Sequence, residues 1–141
     1  MDDKEELVML PNARVTASHF WISDTPADDM VNHVEASLVD KGLLDLDDGP
    51  LAWTVVSVTV SMTNAEDDSD VRMTASATVR AEVTYRSGDD IDESYVSCIN
   101  ECLSLSMSQI HVSTALSPMN LVTIPKLDAR KVLDAATGKD E

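Results

Sequence analysis

The longest regular hydropathy pattern runs over 71–86. There Val71, Met73, Ala75, Ala77, Val79, Ala81, Val83 and Tyr85 alternate with Arg72, Thr74, Ser76, Thr78, Arg80, Glu82, Thr84 and Arg86. Successive side chains leave a strand on opposite sides, so this period of two predicts a long β-strand with one buried and one wet face. The stretch 53–63 repeats the pattern, with Val56, Val58, Val60 and Met62 set against Ser57, Thr59, Ser61 and Thr63. Only the short acidic connection Asn64 to Asp70 separates the two, which predicts an antiparallel hairpin. Upstream, Arg14 to Ser23 (RVTASHFWIS) is rich in β-branched and aromatic residues. It is apolar on both sides: Val15, Ala17 and Trp21 on one, Phe20 and Ile22 on the other. In 30–46, Val34, Ala36 and Leu38 alternate with polar residues, and a strand that bends or bulges near Gly42 is expected. Breakers flank that run at Asp24-Thr25-Pro26 and Asp47-Asp48-Gly49-Pro50.

After Ser87-Gly88-Asp89-Asp90 the period changes. Ile91, Tyr95, Ile99, Cys102, Leu103, Met107 and Ile110 recur at three and four, predicting one long helix over 91–116 that Pro118 ends. Asp92 and Glu93 suit its positive N-terminal end. Met119 to Ile124 reads as a short extended piece before Pro125. Asp128 is a plausible N-cap for a final helix from Ala129 to Ala136, closed by Gly138. Four strands followed by two helices predict an α+β fold, a four-stranded antiparallel sheet packed by a long helix and a short C-terminal helix. The expected organisation is an acidic arm over 1–12, one domain over 13–137 and a tail over 138–141.

Composition narrows the function classes. A chain of 141 residues is one domain in length, and 43% hydrophobic content is too high for a disordered acidic tail. Against 26 acidic residues stand 10 basic ones, a net charge of −16. Such a surface cannot bind nucleic acid by neutralising phosphates, and it is repelled by anionic membranes. No apolar run approaches the roughly 18–20 residues needed to span a bilayer. The N-terminus, Met1-Asp2-Asp3-Lys4-Glu5-Glu6, lacks the basic and apolar regions of a signal peptide, so a cytoplasmic location is expected.

Nothing in the residues supports catalysis. There is no Gly-rich phosphate loop, no GxSxG and no HExxH, and the acidic residues fall in breaker clusters where solvated loop charge explains them. Asp45-Leu46-Asp47-Asp48-Gly49 fails the calcium-loop spacing and has Val56 where the bidentate Glu belongs. Cys98 and Cys102 share a helix face, but His19, His33 and His111 are scattered, so two reduced core thiols are expected rather than a metal site. No cofactor is implied.

What remains is apolar surface. Phe20, Trp21 and Trp53 are most of the large aromatics. Either they complete the core, or they line a partly exposed groove of the kind that takes protein or peptide. The second possibility gives a candidate groove of Phe20, Trp21, Leu38, Leu44, Leu51 and Trp53. The stripe on the long helix (Tyr95, Cys98, Ile99, Cys102, Leu103 and Met107) is wider than one sheet face needs, so self-association through this helix is expected.

Over roughly 13–135 the chain resembles the SecB family of protein-export chaperones. Asn100-Glu101-Cys102-Leu103 resembles the acidic-Cys-aliphatic stretch of the family's long helix. Pro118-Met119-Asn120-Leu121-Val122-Thr123-Ile124-Pro125, followed by Leu127-Asp128-Ala129, is similar to its short extended piece and final helix. Phe20-Trp21-Ile22-Ser23-Asp24 resembles the first-strand aliphatic-aromatic-x-x-Asp, and Asp28 falls where a second acid is expected. The resemblance implies a homotetramer, a dimer of dimers packed through long helices. It further implies grooves for non-native polypeptide, no cofactor, and docking of the SecA motor through Asp24 and Asp28. Two features depart from the family: 71–79 holds no carboxylate, and the passage from the fourth strand to the helix is short. Some SecB-like relatives instead protect an antitoxin, a role compatible with these residues.

Overall fold

The structure, a computed structural model, describes residues 11–24, 29–47, 49–85, 90–115 and 127–138. Its elements follow in the expected order: β1 (Asn12–Ile22), β2 (Met30–Leu46), β3 (Gly49–Asn64), β4 (Asp67–Thr84), α1 (Ile91–Ala115) and α2 (Ala129–Thr137). The strands form one antiparallel sheet in the order β1-β4-β3-β2, so β1 and β2 are its edges. The expected α+β architecture is present.

β3 and β4 are longer than the alternation alone predicts. Asn64 pairs with Asp67, leaving a two-residue turn, Ala65-Glu66, where a seven-residue acidic connection was expected. Leu46 pairs with Gly49, whose φ of 120° a side chain would strain, so β2 and β3 also meet tightly. At the other boundary Asn12 begins β1 and Pro11 is buried, so the expected arm over 1–12 is too long by those two residues. Residues 1–10, the extended piece 119–124 and Ser87 to Asp89 lie outside the described residues.

The helices cover one face. Val56, Val58 and Val60 of β3 and Met73, Ala75, Ala77, Val79 and Ala81 of β4 are buried beneath α1, as the period-two pattern predicts. From the helix side Tyr95, Cys98, Ile99, Cys102, Leu103 and Ile110 complete that core. The long side of α1 meets small residues, so the helix backbone approaches β4 closely. Cys102 Sγ lies 3.4 Å from the Val79 carbonyl oxygen, and Cys98 Sγ lies 3.9 Å from that of Ala52. α2 packs on α1 and on β2, burying Ala129 and Leu133. As expected, Asp128 caps it, accepting a hydrogen bond from the Arg130 N–H at 2.9 Å, and Gly138 closes it in the left-handed conformation.

Register shifts in β1, β2 and β4 decide which residues share a face. In β1, Val15 pairs with Val79 but Ala17 with Thr78, so Thr16 is extra and its hydroxyl donates to the Thr78 carbonyl. The alternation therefore reverses at Thr16. Val15, Phe20 and Ile22 all face the helices, whereas Ala17, His19 and Trp21 face the other way, correcting the expected grouping of Val15 with Trp21. In β2 the extra residue is Val39, between Leu38 and Asp40, three residues before the expected site at Gly42. In β4 a shift beside Arg72 takes Val71 out of the buried row and leaves it exposed.

Candidate functional site

The sheet face turned away from the helices is uncovered among the described residues. Its side chains stand in rows fixed by the pairing register. At the end nearest the β2–β3 turn, Leu46 opposes Gly49 and Leu44 opposes Leu51. The next row is Gly42, Trp53, Glu82 and Asn12; the one after is Asp40, Val55, Arg80 and Arg14. Beyond these the face turns to hydroxyls, with Ser57 opposite Thr78, Thr59 opposite Ser76 and Ser61 opposite Thr74. There His33 Nε2 lies 3.0 Å from Thr63 Oγ1.

Exposed apolar residues stand at both ends of the sheet: Trp21, Val31 and Val71 at the far end, and a further group along the β2 arm. Val39 is 60% exposed, Leu46 51%, Leu43 48% and Leu44 42%. By register Leu44 and Leu46 stand on the outer face, Leu43 on the helix side and Val39 at the bulge. Trp53 anchors the end nearest the β2–β3 turn. Its indole lies over Gly42, and Arg80 stacks on its other side with the guanidinium 4.6 Å from the ring centroid. Arg80 Nε is also 3.4 Å from Glu82 Oε2. The indole N–H is buried without a hydrogen-bond partner among the described residues. On the helix side of the same arm Lys41 caps the Tyr95 ring, its Nζ 4.6 Å from the centroid.

The six expected groove residues do not form one groove. Leu44, Leu51 and Trp53 come together on the outer face. Trp21 shares that face and is 46% exposed, but it pairs with Thr74 near the far end of the sheet. Phe20 and Leu38 point to the helices and pack against the core. Leu38 also lines a small hollow of about 170 Å³ between β2 and α2, with Ala36, Val132, Ala135 and Ala136. The arm residues Val39, Leu43 and Leu46 were missed. The run Leu43-Leu44-x-Leu46 beside a breaker was the only sign of them in the sequence.

The expected self-association stripe is a correction. Tyr95, Cys98, Ile99, Cys102 and Leu103 are at most 7% exposed because the chain's own sheet covers them, and Met107 is only partly open. A second copy cannot reach those five. The side of α1 that faces outward carries Glu93, Asn100, Ser104, Ser108, His111 and Val112. Burial pushes the Cys98 thiol up to about 12, and it raises Cys102 as well, so both thiols stay protonated at neutral pH.

Asp24 is exposed just past β1; Asp28 lies outside the described residues. A larger cleft of about 660 Å³ lies where α1 meets the start of α2, lined by Val96, Asn100, Leu127 and Lys131 among others. Two of its polar groups are engaged structurally, Asp128 in the cap and Arg130 in an ion pair with Glu93. Among the described residues no group of His, Cys, Asp and Glu could hold a metal ion, and no helix is long and apolar enough to cross a membrane.

No family model matches the chain, and no curated protein matches it in sequence. The solved structures do. The Rv1957 SecB-like chaperone of Mycobacterium tuberculosis, in complex with a ChAD peptide from the Rv1956 HigA1 antitoxin, matches with a TM-score of 0.60. The match covers 84% of this chain and 90% of that one, at 12% identity. The fold is SecB-like. Sharing it at so low an identity means that the element order and packing are common to both while nearly all side chains differ. In this chain the sheet face away from the helices is open among the described residues, and its apolar end is built from Leu44, Leu46, Leu51 and Trp53.

Proposed function

We propose that this protein is an ATP-independent chaperone that holds extended, non-native polypeptide on the apolar end of its outer sheet face. The observation that carries this is the hairpin arm, which keeps Leu44 and Leu46 exposed on that face beside Leu51 and the anchored Trp53. Apolar contact there gives affinity with little sequence preference, and the net charge of −16 keeps the loaded protein soluble. The SecB-like chaperone whose fold it shares was solved with a peptide bound, which supports a polypeptide partner. The test is aggregation of a reduced, unfolded model substrate followed by light scattering. Suppression at a stoichiometric ratio, lost in Leu44→Ser with Trp53→Ala, is expected; no suppression by the wild type would sink the idea.

A second reading is a dedicated chaperone for one partner. The observation favouring it is that the peptide in the Rv1957 complex comes from an antitoxin. A pull-down separates the two: one dominant partner supports dedication, a broad set of unfolded chains supports a general holdase. In an export role, clients would pass in the cytoplasm to the SecA motor through Asp24 and Asp28. Assembly into a tetramer would use the outward side of α1, and sizing near four times 15.3 kDa would support it.

A further inference from the structure

Arg14 and Arg80 stand directly opposite each other on the outer face, in adjacent strands. Like charges so placed repel, and a sheet normally avoids the pairing. The chain has only 10 basic residues against 26 acidic ones, so two of the few cations share one cross-strand position. Glu82 answers one of them, through Arg80. Asp40 is in the same row but two strands from Arg80, about 10 Å away at ordinary strand spacing. Arg14 is exposed and makes no ion pair among the described residues. Among the described residues one positive charge, that of Arg14, is therefore left over, while the Trp53 indole fixes Arg80 by stacking.

We propose that Arg14 and Arg80 bind a carboxylate side chain of the held polypeptide, so that the site selects extended segments pairing apolar residues with an acid. This rests on the chaperone reading above and deepens it. The register sets the spacing. Leu51, Trp53 and the Arg80 row are two residues apart along the strands, about 6.6 Å per step. An extended client running alongside shows every second side chain to the sheet. Two apolar residues over Leu51 and Trp53 then place the next residue on that side over Val55, in the row whose β4 and β1 members are Arg80 and Arg14. The preferred segment is Leu-x-Phe-x-Glu, or the same order reversed. Guanidinium groups suit this role because they meet a carboxylate through paired N–H donors. The preference is local, since the molecule as a whole repels acidic chains.

The experiment measures fluorescence anisotropy of end-labelled, unstructured peptides of about ten residues carrying Leu-x-Phe-x-Glu, its Gln counterpart or its Lys counterpart, in physiological salt. On the wild type the Glu peptide is expected to bind about fivefold more tightly than the Gln peptide. Arg14→Gln, an exposed change that leaves the core alone, abolishes that difference, and Arg14→Glu turns the preference to Lys. Equal binding of Glu and Gln peptides by the wild type overturns the inference while leaving the chaperone reading intact, as does an advantage that survives Arg14→Gln. If none of the three peptides binds, both fall.

Discussion

The indole of Trp53 lies so close over Gly42 that a Cβ placed there would stand 2.8 Å from the Trp53 ring carbon Cζ2. The missing side chain is the seat of the aromatic one, and a neighbouring strand provides it. Gly42→Ala must therefore push the indole off its seat and away from Arg80. In a Trp21→Phe background, which leaves Trp53 as the sole tryptophan, the expected result is red-shifted emission with a stability loss of about 1 kcal/mol. Unchanged emission would show that the contact does not hold the ring.

Leu38 and Leu44 are six residues apart in one strand, yet the bulge at Val39 and the pleat send them to opposite faces. Leu38→Ser should lower the urea midpoint, by the equivalent of about 1–3 kcal/mol, because it loses packing against the core. Leu44→Ser should leave the midpoint within about 0.5 kcal/mol and weaken the suppression of aggregation. The reverse assignment would place the binding surface under the helices.

Burial raises the Cys98 thiol from its ordinary 9.0 to about 12. Between those values the unfolded chain has lost its proton while the folded one keeps it. Stability is therefore complete below about pH 9 and falls with rising pH, by up to about 1.4 kcal/mol per unit, until the folded thiol ionises. Cys98→Ala should flatten part of that decline in urea titrations at pH 8, 9 and 10. Iodoacetamide should label both thiols in the native protein far more slowly than in urea.

Asp128→Ala removes the acceptor for the Arg130 N–H at the start of α2. A loss of about 1 kcal/mol is expected, with Asp128→Asn close to wild type. Calorimetry of the three proteins decides whether the cap or the charge matters.

The strands and helices were legible because their periods are long: eight alternations over 71–86 and repeats of three and four in α1. Faces were legible only where no residue is extra. Apolar residues on both sides of Arg14 to Ser23 gave no clue that Thr16 is bulged, although that bulge is what lets Val15 and Phe20 share the core. Trp21 and Trp53 could not be separated either. Their distance follows from register, Trp21 against Thr74 and Trp53 against Glu82, which a hairpin turn sets and a composition cannot. The helix stripe misled for a related reason. The small residues Ala75, Ala77 and Ala81 let α1 sink deep enough for the sheet to cover a wide arc of it.

Both outer strands of the sheet carry an extra residue near mid-length, Thr16 in β1 and Val39 in β2. A straight, unbroken edge is what a second sheet needs in order to add on and continue into a fibre. Here each edge is kinked where a long flat pairing would have to pass. Leu44 and Leu46 are exposed on β2, itself one of those edges. The kinks oppose such pairing between copies along both edges.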